Sequence, residues 1–256
     1  MKVATWNVNS IRARLHRVTE YIHKERPHVL CLQETKVENE AFPKDPFREL
    51  GYELAIHGQK TYNGVAILSR TPLSGVQCGF SDGLEDTQAR LIAATTNGLR
   101  IVSLYVPNGQ AVGSDKLAYK FAWMGRLRSY LEGPIRQGLP LLACGDFNVA
   151  PEPIDVHDPA AWEDSVLFTR EERAALARLK DVGLTDLVRK VHPDKALFTW
   201  WDYRNLAFPK NHGLRIDHIF GTHEVCERML AAGVDREARK GKEPSDHAPA
   251  WVELAS

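Results

Sequence analysis

The feature that most constrains this sequence is a short apolar run that ends abruptly in polar residues. Leu139–Cys144 is almost entirely apolar, and Gly145-Asp146-Phe147-Asn148 follows it directly. Such a run predicts a buried β-strand. Because residues two positions apart point the same way on a strand, we expect Asp146 and Asn148 to face one cleft. Glycine, aspartate and asparagine also favour turns, so this stretch alone predicts a turn about as well as a functional site.

Other strand ends carry polar side chains of the same kind. Lys2–Val8 is a predicted strand that brings Asn7 close to the start of a helix. Val29–Leu32 is a second predicted buried strand, and Glu34 lies just beyond its end. Tyr105 lies near the end of another strand, after a predicted hairpin. Strands that alternate with helices and end in polar residues predict a layered α/β protein.

The second half of the chain contains fewer clear strand patterns. Pro151–Leu167 is rich in proline and aspartate and predicts a long ordered loop. Thr169-Arg170-Glu171-Glu172 is a capping-box sequence that predicts the start of a helix. Gly213–Phe220 predicts a strand with Asp217 in its interior. Ser245-Asp246-His247 precedes the last predicted strand, Ala250–Leu254.

Composition limits the class of protein. A chain of 256 residues without a linker-like segment or a repeat is expected to form one domain over residues 1–256. It has no apolar run of about 18 residues, so no membrane-spanning helix is expected. The four cysteines are widely spaced and form no CxxC pair, which favours a reducing compartment over a zinc site. The sequence near Met1 does not resemble a signal peptide, and we therefore expect a cytoplasmic protein.

Charge is balanced in total but clustered locally. The 33 basic and 33 acidic residues cancel, which argues against a histone-like binder of nucleic acid. Each basic cluster taken singly predicts a solvated surface, but together they predict a basic rim around one cleft. The clusters are Arg12, Arg14, His16 and Arg17, then Arg204, Lys210, His212 and Arg215, and finally Arg236, Arg239, Lys240 and Lys242.

Six motifs occur in an order that resembles a known superfamily. They are Trp6-Asn7, Leu32–Thr35 (LQET), Tyr105–Gly109 (YVPNG), Gly145–Asn148 (GDFN), Leu214–Asp217 (LRID) and Ser245–Pro249 (SDHAP). The chain resembles the endonuclease/exonuclease/phosphatase superfamily from Met1 almost to Ser256. Asn9–Arg14 (NSIRAR), Phe198–Arg204 (FTWWDYR) and Gly213–His218 (GLRIDH) resemble, more narrowly, the exonuclease III-type abasic-site endonucleases.

The resemblance implies a fold and a reaction. The fold is a four-layer α/β sandwich, in which two twisted mixed β-sheets pack face to face with helices outside. The reaction is hydrolysis of the phosphodiester on the 5′ side of an abasic site in double-stranded DNA, which leaves a 3′-hydroxyl. Relatives also show 3′-phosphodiesterase, 3′-phosphatase and 3′-to-5′ exonuclease activity. The implied cofactor is Mg²⁺ or Mn²⁺, the implied substrates are duplexes with abasic sites or blocked 3′ ends, and a monomer is expected.

The resemblance also assigns roles to site residues. Asp146 would orient or deprotonate the attacking water, and Asn148 would hold that water and the phosphate. His247 would donate to a phosphoryl oxygen, Asp217 would orient His247, and Tyr105 would bond the phosphate or assist the leaving group. Glu34 would be the main metal ligand. The full metal-site set is Asn7, Glu34, Asp146, Asn148, Asp246 and His247. Whether one or two metals act, and which group is the base, stays open.

Basic and aromatic residues are implied to contact DNA. Trp200, Leu214 and Ile216 match an apolar pocket for a flipped abasic sugar, which leaves the stack at lower cost than a normal nucleotide. The remaining implied DNA contacts are Arg12, Lys36, Tyr62, Asn63, Arg90, Asn108 and Arg204.

Three other functions are compatible with parts of the sequence. A phosphoesterase for an inositol phosphate, a lipid head group or RNA would keep the acids, Asn148 and His247 but would not need Trp200. A DNA-binding module without catalysis would not need an intact set of acids, amides and histidine. A purely structural protein would leave strand-end carboxylates desolvated without a purpose.

Overall fold

The computed structural model describes residues 1–255, which form twelve β-strands and eight α-helices. The strands are β1 (Lys2–Asn7), β2 (Val29–Gln33), β3 (Glu53–His57), β4 (Val65–Ser69), β5 (Ser74–Cys78), β6 (Leu91–Thr96), β7 (Leu99–Tyr105), β8 (Leu141–Asp146), β9 (Thr185–Asp186), β10 (Asp217–Gly221), β11 (Met229–Val234) and β12 (Ala250–Leu254). The helices are α1 (Ile11–Glu25), α2 (Asp45–Glu49), α3 (Asp115–Arg136), α4 (Pro159–Trp162), α5 (Arg170–Lys180), α6 (Leu187–Val191), α7 (Ala207–Lys210) and α8 (His223–Glu227).

The strands form two mixed six-stranded sheets. The first has the order β11-β12-β1-β2-β4-β3, and the second has the order β5-β6-β7-β8-β10-β9. Side chains from the facing sides of both sheets, such as Val3 and Ile67 from the first and Ile101 and Ile219 from the second, meet in one fully buried apolar cluster. The four-layer prediction depends on this packing of sheet on sheet.

Helices cover the outer face of each sheet. Helix α1 packs Ile11, Val18 and Ile22 onto the first sheet, as the 3.6-residue spacing of these side chains requires. Helices α3 and α5 pack onto the second sheet through residues such as Leu127 and Leu176. The predicted four-layer α/β sandwich is confirmed.

The topology brings several strand ends to one edge of the sandwich. Strands β1 and β2 are parallel, as are β7 and β8, so Asn7 lies beside Gln33, and Tyr105 lies beside Asp146. Strand β10 runs antiparallel to β8, which pairs Asp217 with Asp146. Strand β12 runs antiparallel to β1, so the segment that precedes β12 lies near the end of β1.

Gly145 is required by this close packing of strand ends. Its φ is +149°, and an added Cβ would lie 1.9 Å from the carbonyl oxygen of Leu104 on the neighbouring strand. No side chain fits at that distance, so only glycine allows β8 to stay paired with β7 up to Asp146.

The structure corrects two details of the predicted elements. Strand β10 begins at Asp217, so the aspartate lies at the strand's start and not in its interior. At the start of this strand the backbone N–H groups of Ile216 and Asp217 both donate to the hydroxyl of Thr199. The predicted loop 151–167 contains helix α4, whose N-terminus is capped by the Asp158 carboxylate. In residues 1–255, no helix is long and apolar enough to cross a membrane.

Candidate active site

A carboxamide joins two carboxylates at the shared strand edge. The Nδ2 group of Asn7 donates to Oε1 of Glu34 and to Oδ2 of Asp146, both at 2.9 Å. Its Oδ1 accepts the backbone N–H of Asn9 at 3.0 Å, which fixes the amide orientation. Asp146 is 1% exposed, whereas the Glu34 side chain is 18% exposed. The two acids therefore share one partly open site, as their positions at strand ends predicted.

His247 and Asp217 form a second pair beside these acids. The distance from Nδ1 of His247 to Oδ2 of Asp217 is 2.8 Å, and Nε2 lies 3.8 Å from Oδ2 of Asp146. The His247 backbone is held at both ends: its N–H donates to the hydroxyl of Ser245, and its carbonyl accepts from the Trp6 indole. The imidazole is thus fixed between two carboxylates.

The electrostatic environment sets the proton positions. Burial alone would lower the pKa of His247, but Asp217 and Asp146 outweigh it and raise the pKa to about 10. Burial raises the pKa of Asp146 to about 7, although the charge on His247 acts against this rise. At neutral pH His247 is therefore an imidazolium with two N–H donors, and Asp146 has a pKa suited to a general base.

Asn148 lies two residues beyond the end of β8 and is held by four hydrogen bonds. Its backbone N–H donates to Oδ1 of Asp146 at 2.9 Å, and its Nδ2 donates to the Val106 carbonyl at 2.9 Å. Its Oδ1 accepts from Nδ2 of Asn108 at 3.2 Å. The ammonium group of Lys120 donates to its backbone carbonyl at 2.6 Å. Asn148 is therefore joined to Asp146 through its backbone N–H, whereas its side-chain amide bonds Val106 and Asn108.

Tyr105 faces the acids from strand β7. Burial, and then the carboxylates of Glu34 and Asp146, raise the pKa of Tyr105 well above its usual value. The phenol therefore keeps its proton at neutral pH and can act as a donor. The guanidinium of Arg90 lies over the ring, 4.7 Å from its centroid, and donates to the Tyr105 carbonyl.

A groove of about 580 Å³ extends from Tyr105. It is lined by four residues of the implied DNA-binding set, namely Tyr62, Asn63, Arg90 and Asn108. Tyr62 is 67% exposed, as a residue that contacts DNA would have to be. The structure thus brings this part of the implied DNA surface next to the acids.

Asp246 bonds neighbours other than the Glu34–Asp146 pair. Its Oδ1 accepts from Nδ2 of Asn9, and its Oδ2 accepts from the Trp200 indole, both at 3.1 Å. Lys36 connects this arrangement to the acids, because its ammonium group lies 2.6 Å from Oδ1 of Asn9 and 2.9 Å from Oε2 of Glu34. Asp246 is therefore linked to the metal-site candidates through Asn9 and Lys36.

The residues of the implied sugar pocket form one apolar cluster. Leu214 and Ile216 are 0% and 1% exposed, and they pack with Phe168 and Trp162. Trp200 is half-buried above them and meets Trp162 edge to face. Of the three implied pocket residues only Trp200 offers appreciable surface, so a sugar could touch Leu214 and Ile216 only after side chains move.

The basic clusters are distributed differently from the prediction. Arg215 is 1% exposed and its guanidinium is bonded to Asp155 and Asp186, so it does not belong to a basic rim. Arg204 is exposed and paired with Asp202 at 2.7 Å, which partly offsets its charge. Arg12 is exposed on α1 and donates to the Ala41 carbonyl.

Comparison with known proteins identifies the family. The model of the Endonuclease/Exonuclease/phosphatase family matches residues 4–247. The chain belongs to this family. Exodeoxyribonuclease III from Haemophilus influenzae is 38% identical over 99% of this chain and 100% of its own length. The expectation of an exonuclease III-type member of this superfamily is thereby confirmed.

Two solved structures of family members match the complete fold. One is the 3′ phosphatase NExo from Neisseria bound to a product DNA hairpin, with a TM-score of 0.98 and 39% identity. The other is an AP endonuclease from Archaeoglobus fulgidus, with a TM-score of 0.97 and 39% identity. In each case the match covers 100% of both chains. Both relatives are enzymes that hydrolyse phosphoesters, so the geometry of the site is compared with that reaction.

The donor set of the site fits a hard cation. Ligand atoms of Glu34, Asp146 and His247 lie within 4.8 Å of one another. The two carboxylates supply oxygen ligands, which divalent cations such as Mg²⁺ prefer. His247 suits the role of donor better than that of ligand, because an imidazolium has no free lone pair. When bound, the cation would neutralise charge on a phosphodiester.

Several residues that hold the site in place were assigned no role from the sequence. Asn9, Thr199 and Ser245 each bond a site residue or its backbone. Lys120 is fully buried below Asn148. A signal for Lys120 existed: it lies three residues after Leu117 on the apolar face of its helix, where a charged side chain implies a buried partner.

Proposed function

We propose that this protein is a DNA-repair phosphodiesterase. It hydrolyses the phosphodiester on the 5′ side of abasic sites in double-stranded DNA and leaves a 3′-hydroxyl, with Mg²⁺ or Mn²⁺ as cofactor. The observation that carries this proposal is the convergence of Asn7, Glu34, Asp146 and His247, in a chain that resembles exodeoxyribonuclease III over its full length. It acts as a cytoplasmic monomer that consists of one domain over residues 1–256.

Each residue of the site has its own role in hydrolysis. Glu34 would be the main ligand of the cation, and Asp146 and Asn7 lie beside it. Asp146 orients and deprotonates the attacking water, which its pKa of about 7 suits. Asn148 holds that water and a phosphate oxygen. His247, held charged by Asp217, donates to the phosphoryl oxygen, where charge accumulates in the transition state. The protonated phenol of Tyr105 bonds the phosphate or assists the leaving group.

Processing of 3′ ends is a second function of the same site. The 3′ phosphatase NExo, which is 39% identical, favours this possibility. The same phosphate-binding groups would serve a phosphomonoester or a blocked 3′ terminus. The groove that contains Tyr62, Asn63, Arg90 and Asn108 would hold the duplex next to that terminus.

One series of cleavage reactions tests both functions. The substrates are an abasic duplex, a nicked duplex with a blocked 3′ end and an undamaged duplex, each with Mg²⁺ and with a chelator. We expect the abasic duplex and the nicked duplex to be cleaved with Mg²⁺. The chelator should abolish both reactions. Inositol phosphates and RNA are assayed in parallel, and hydrolysis confined to these would refute the DNA-repair function.

Trp200 tests the substrate assignment. Trp200→Ala removes the exposed wall of the apolar cluster but leaves the acids and His247 in place. We expect the ratio of abasic-site cleavage to 3′-end cleavage to fall about 10- to 200-fold, as for loss of one apolar contact. The two cleavage rates and the thermal midpoint are measured together. Equal falls in both rates with a lower midpoint would show that Trp200 is only a core residue.

Trp200→Phe is the matched control for the indole hydrogen bond. This change keeps an aromatic wall but removes the donor to Asp246. If the wall provides discrimination, the phenylalanine variant keeps most of the ratio that the alanine variant loses.

A further inference from the structure

Helix α3 carries a lysine that has no contact with solvent. The side chains of Lys120 and its partner Glu172 on α5 are both 0% exposed. Lys120 lies among apolar residues of the helix, between Leu117 and Met124. A charge at such a place carries a large desolvation cost, so its hydrogen bonds must be complete.

All three hydrogens of the ammonium group have acceptors. Lys120 donates to the backbone carbonyl of Asn148 at 2.6 Å, to that of Asn108 at 3.1 Å and to Oε1 of Glu172. Asn148 is the last residue of the GDFN motif, just beyond β8, and Asn108 belongs to the YVPNG loop. One buried cation therefore joins two separate active-site loops by their main chains.

Glu172 is itself fixed without help from Lys120. Its Oε2 accepts the backbone N–H groups of Leu167 and Thr169, at 2.9 and 3.1 Å, and the Thr169 hydroxyl at 2.8 Å. This capping box anchors the carboxylate at the start of α5. Lys120 thus connects the two loops to a rigid point in the fold.

The position of Asn148 depends on this connection. Asn148 has φ +50°, a left-handed conformation that asparagine adopts more readily than most non-glycine residues, and its backbone carbonyl is held there by Lys120. Its side-chain amide is oriented by Val106 and by Asn108. With both carbonyls tied to one ammonium group, neither loop can shift without breaking a charge-assisted hydrogen bond.

We propose that Lys120 is a positioning residue for hydrolysis, which fixes Asn108 and Asn148 relative to Asp146 and uses Glu172 as its anchor. A role in stability alone would not account for the pair. Buried ion pairs can often be replaced by apolar residues of similar size with no loss of stability. The inference rests on the proposed nuclease function, because the reaction supplies the readout.

Lys120→Met tests the proposal on the complete chain. Methionine has a similar length but no donors, so both carbonyls are released. Single-turnover cleavage of the abasic duplex is measured with Mg²⁺, over a range of enzyme concentrations. We expect the rate constant at saturation to fall about 10- to 100-fold, the loss expected for a small displacement of reacting groups. The half-saturating enzyme concentration should change less than about threefold, because Lys120 is fully buried and Asn108 is the only one of the proposed DNA contacts that it holds.

A double variant separates positioning from stability. Lys120→Met leaves the Glu172 charge unpaired, and adding Glu172→Gln removes that charge while a carbonyl oxygen remains for Thr169. The double variant should therefore have a higher thermal midpoint than Lys120→Met. Its single-turnover rate constant should stay low, because Asn108 and Asn148 still lack their donor. Recovery of rate together with midpoint would overturn the proposal. The double variant also provides a folded test if Lys120→Met fails to fold.

Leu127→Ala on the same helix is the matched control. Leu127 is fully buried in the apolar cluster under α3, and the hydrogen bonds that hold Asn108 and Asn148 come from Lys120 and not from it. Leu127→Ala should lower the thermal midpoint. At temperatures well below that midpoint, its single-turnover rate constant should be nearly unchanged. An equal rate loss in Leu127→Ala and Lys120→Met would also overturn the positioning role. Wild-type protein that cleaves none of the substrates would instead refute the proposed function.

Discussion

Glu34→Gln is expected to reduce cleavage of an abasic duplex at least about a hundredfold, in the range found for lost electrostatic stabilisation. Glutamine keeps the size and the hydrogen bond from Asn7, but it removes the charge that a hard cation requires. Because the loss lies in cation affinity, raising the metal concentration should restore part of the rate. The measurement is a titration of rate against Mg²⁺ for both proteins.

Two further results decide whether this interpretation holds. Glu40→Gln makes the same chemical change at an exposed position six residues further along the chain and should behave like the wild type. Wild-type rates for Glu34→Gln at low Mg²⁺ would remove Glu34 from the metal site. The substitution also has a local effect, because it removes the ion pair between Oε2 of Glu34 and Nζ of Lys36, which lie 2.9 Å apart. A Lys36→Met variant made in parallel separates that effect from cation binding.

The central part of the site could be predicted from local patterns. Buried strands β1, β2 and β8 have no exposed face, so their apolar runs are continuous and their ends are sharp. Asn7, Glu34 and Asp146 stand at or just beyond those ends, and parallel pairing brings such ends together. The pairing of His247 with Asp217 came only from the family resemblance, since no spacing rule relates residues 30 positions apart.

Two edge strands, β5 and β11, gave no usable signal in the sequence. Strand β5 has four exposed residues among five, and β11 contains alanine and glycine where Trp251 packs closely against it. Their pairing is decided by neighbouring strands and not by their own apolar pattern. The same limit applies to the extent of β10, because the backbone N–H of Ile216, just before Asp217, bonds to Thr199, and this contact is not visible in the sequence.

Buried charges were the second source of error. Arg215 looked like part of a basic surface but is enclosed by Asp155 and Asp186, which lie 60 and 29 residues away. Lys120 has its carboxylate partner 52 residues away. A charged residue shows its burial in the sequence only through apolar neighbours at helical spacing. Its partner is set by tertiary packing, which local patterns do not encode.

His247→Asn should lower the single-turnover rate about 100- to 1,000-fold, the loss found when one donor to a developing oxyanion is removed. Asparagine keeps a neutral donor of smaller reach but carries no charge. DNA affinity should stay nearly unchanged, because His247 is 4% exposed and acts on the reacting phosphate and not on the duplex. Rate and affinity are measured on the same abasic duplex, the affinity with a chelator present to prevent cleavage. A large loss of affinity with an unchanged rate would make His247 a binding residue.

Asp217→Asn should resemble this variant in a weaker, pH-dependent form. The carboxylate of Asp217 is the main group that raises the pKa of His247, and without it burial lowers that pKa. A group that acts in its charged form is active below its pKa, so the activity of Asp217→Asn should fall as pH rises through the lowered pKa. The wild type should keep a charged His247 up to a pH of about 10. If the two residues act as one unit, the double variant loses little more than His247→Asn alone. Additive losses in the double variant, or identical pH profiles for Asp217→Asn and the wild type, would show that the short contact between them has no part in the reaction.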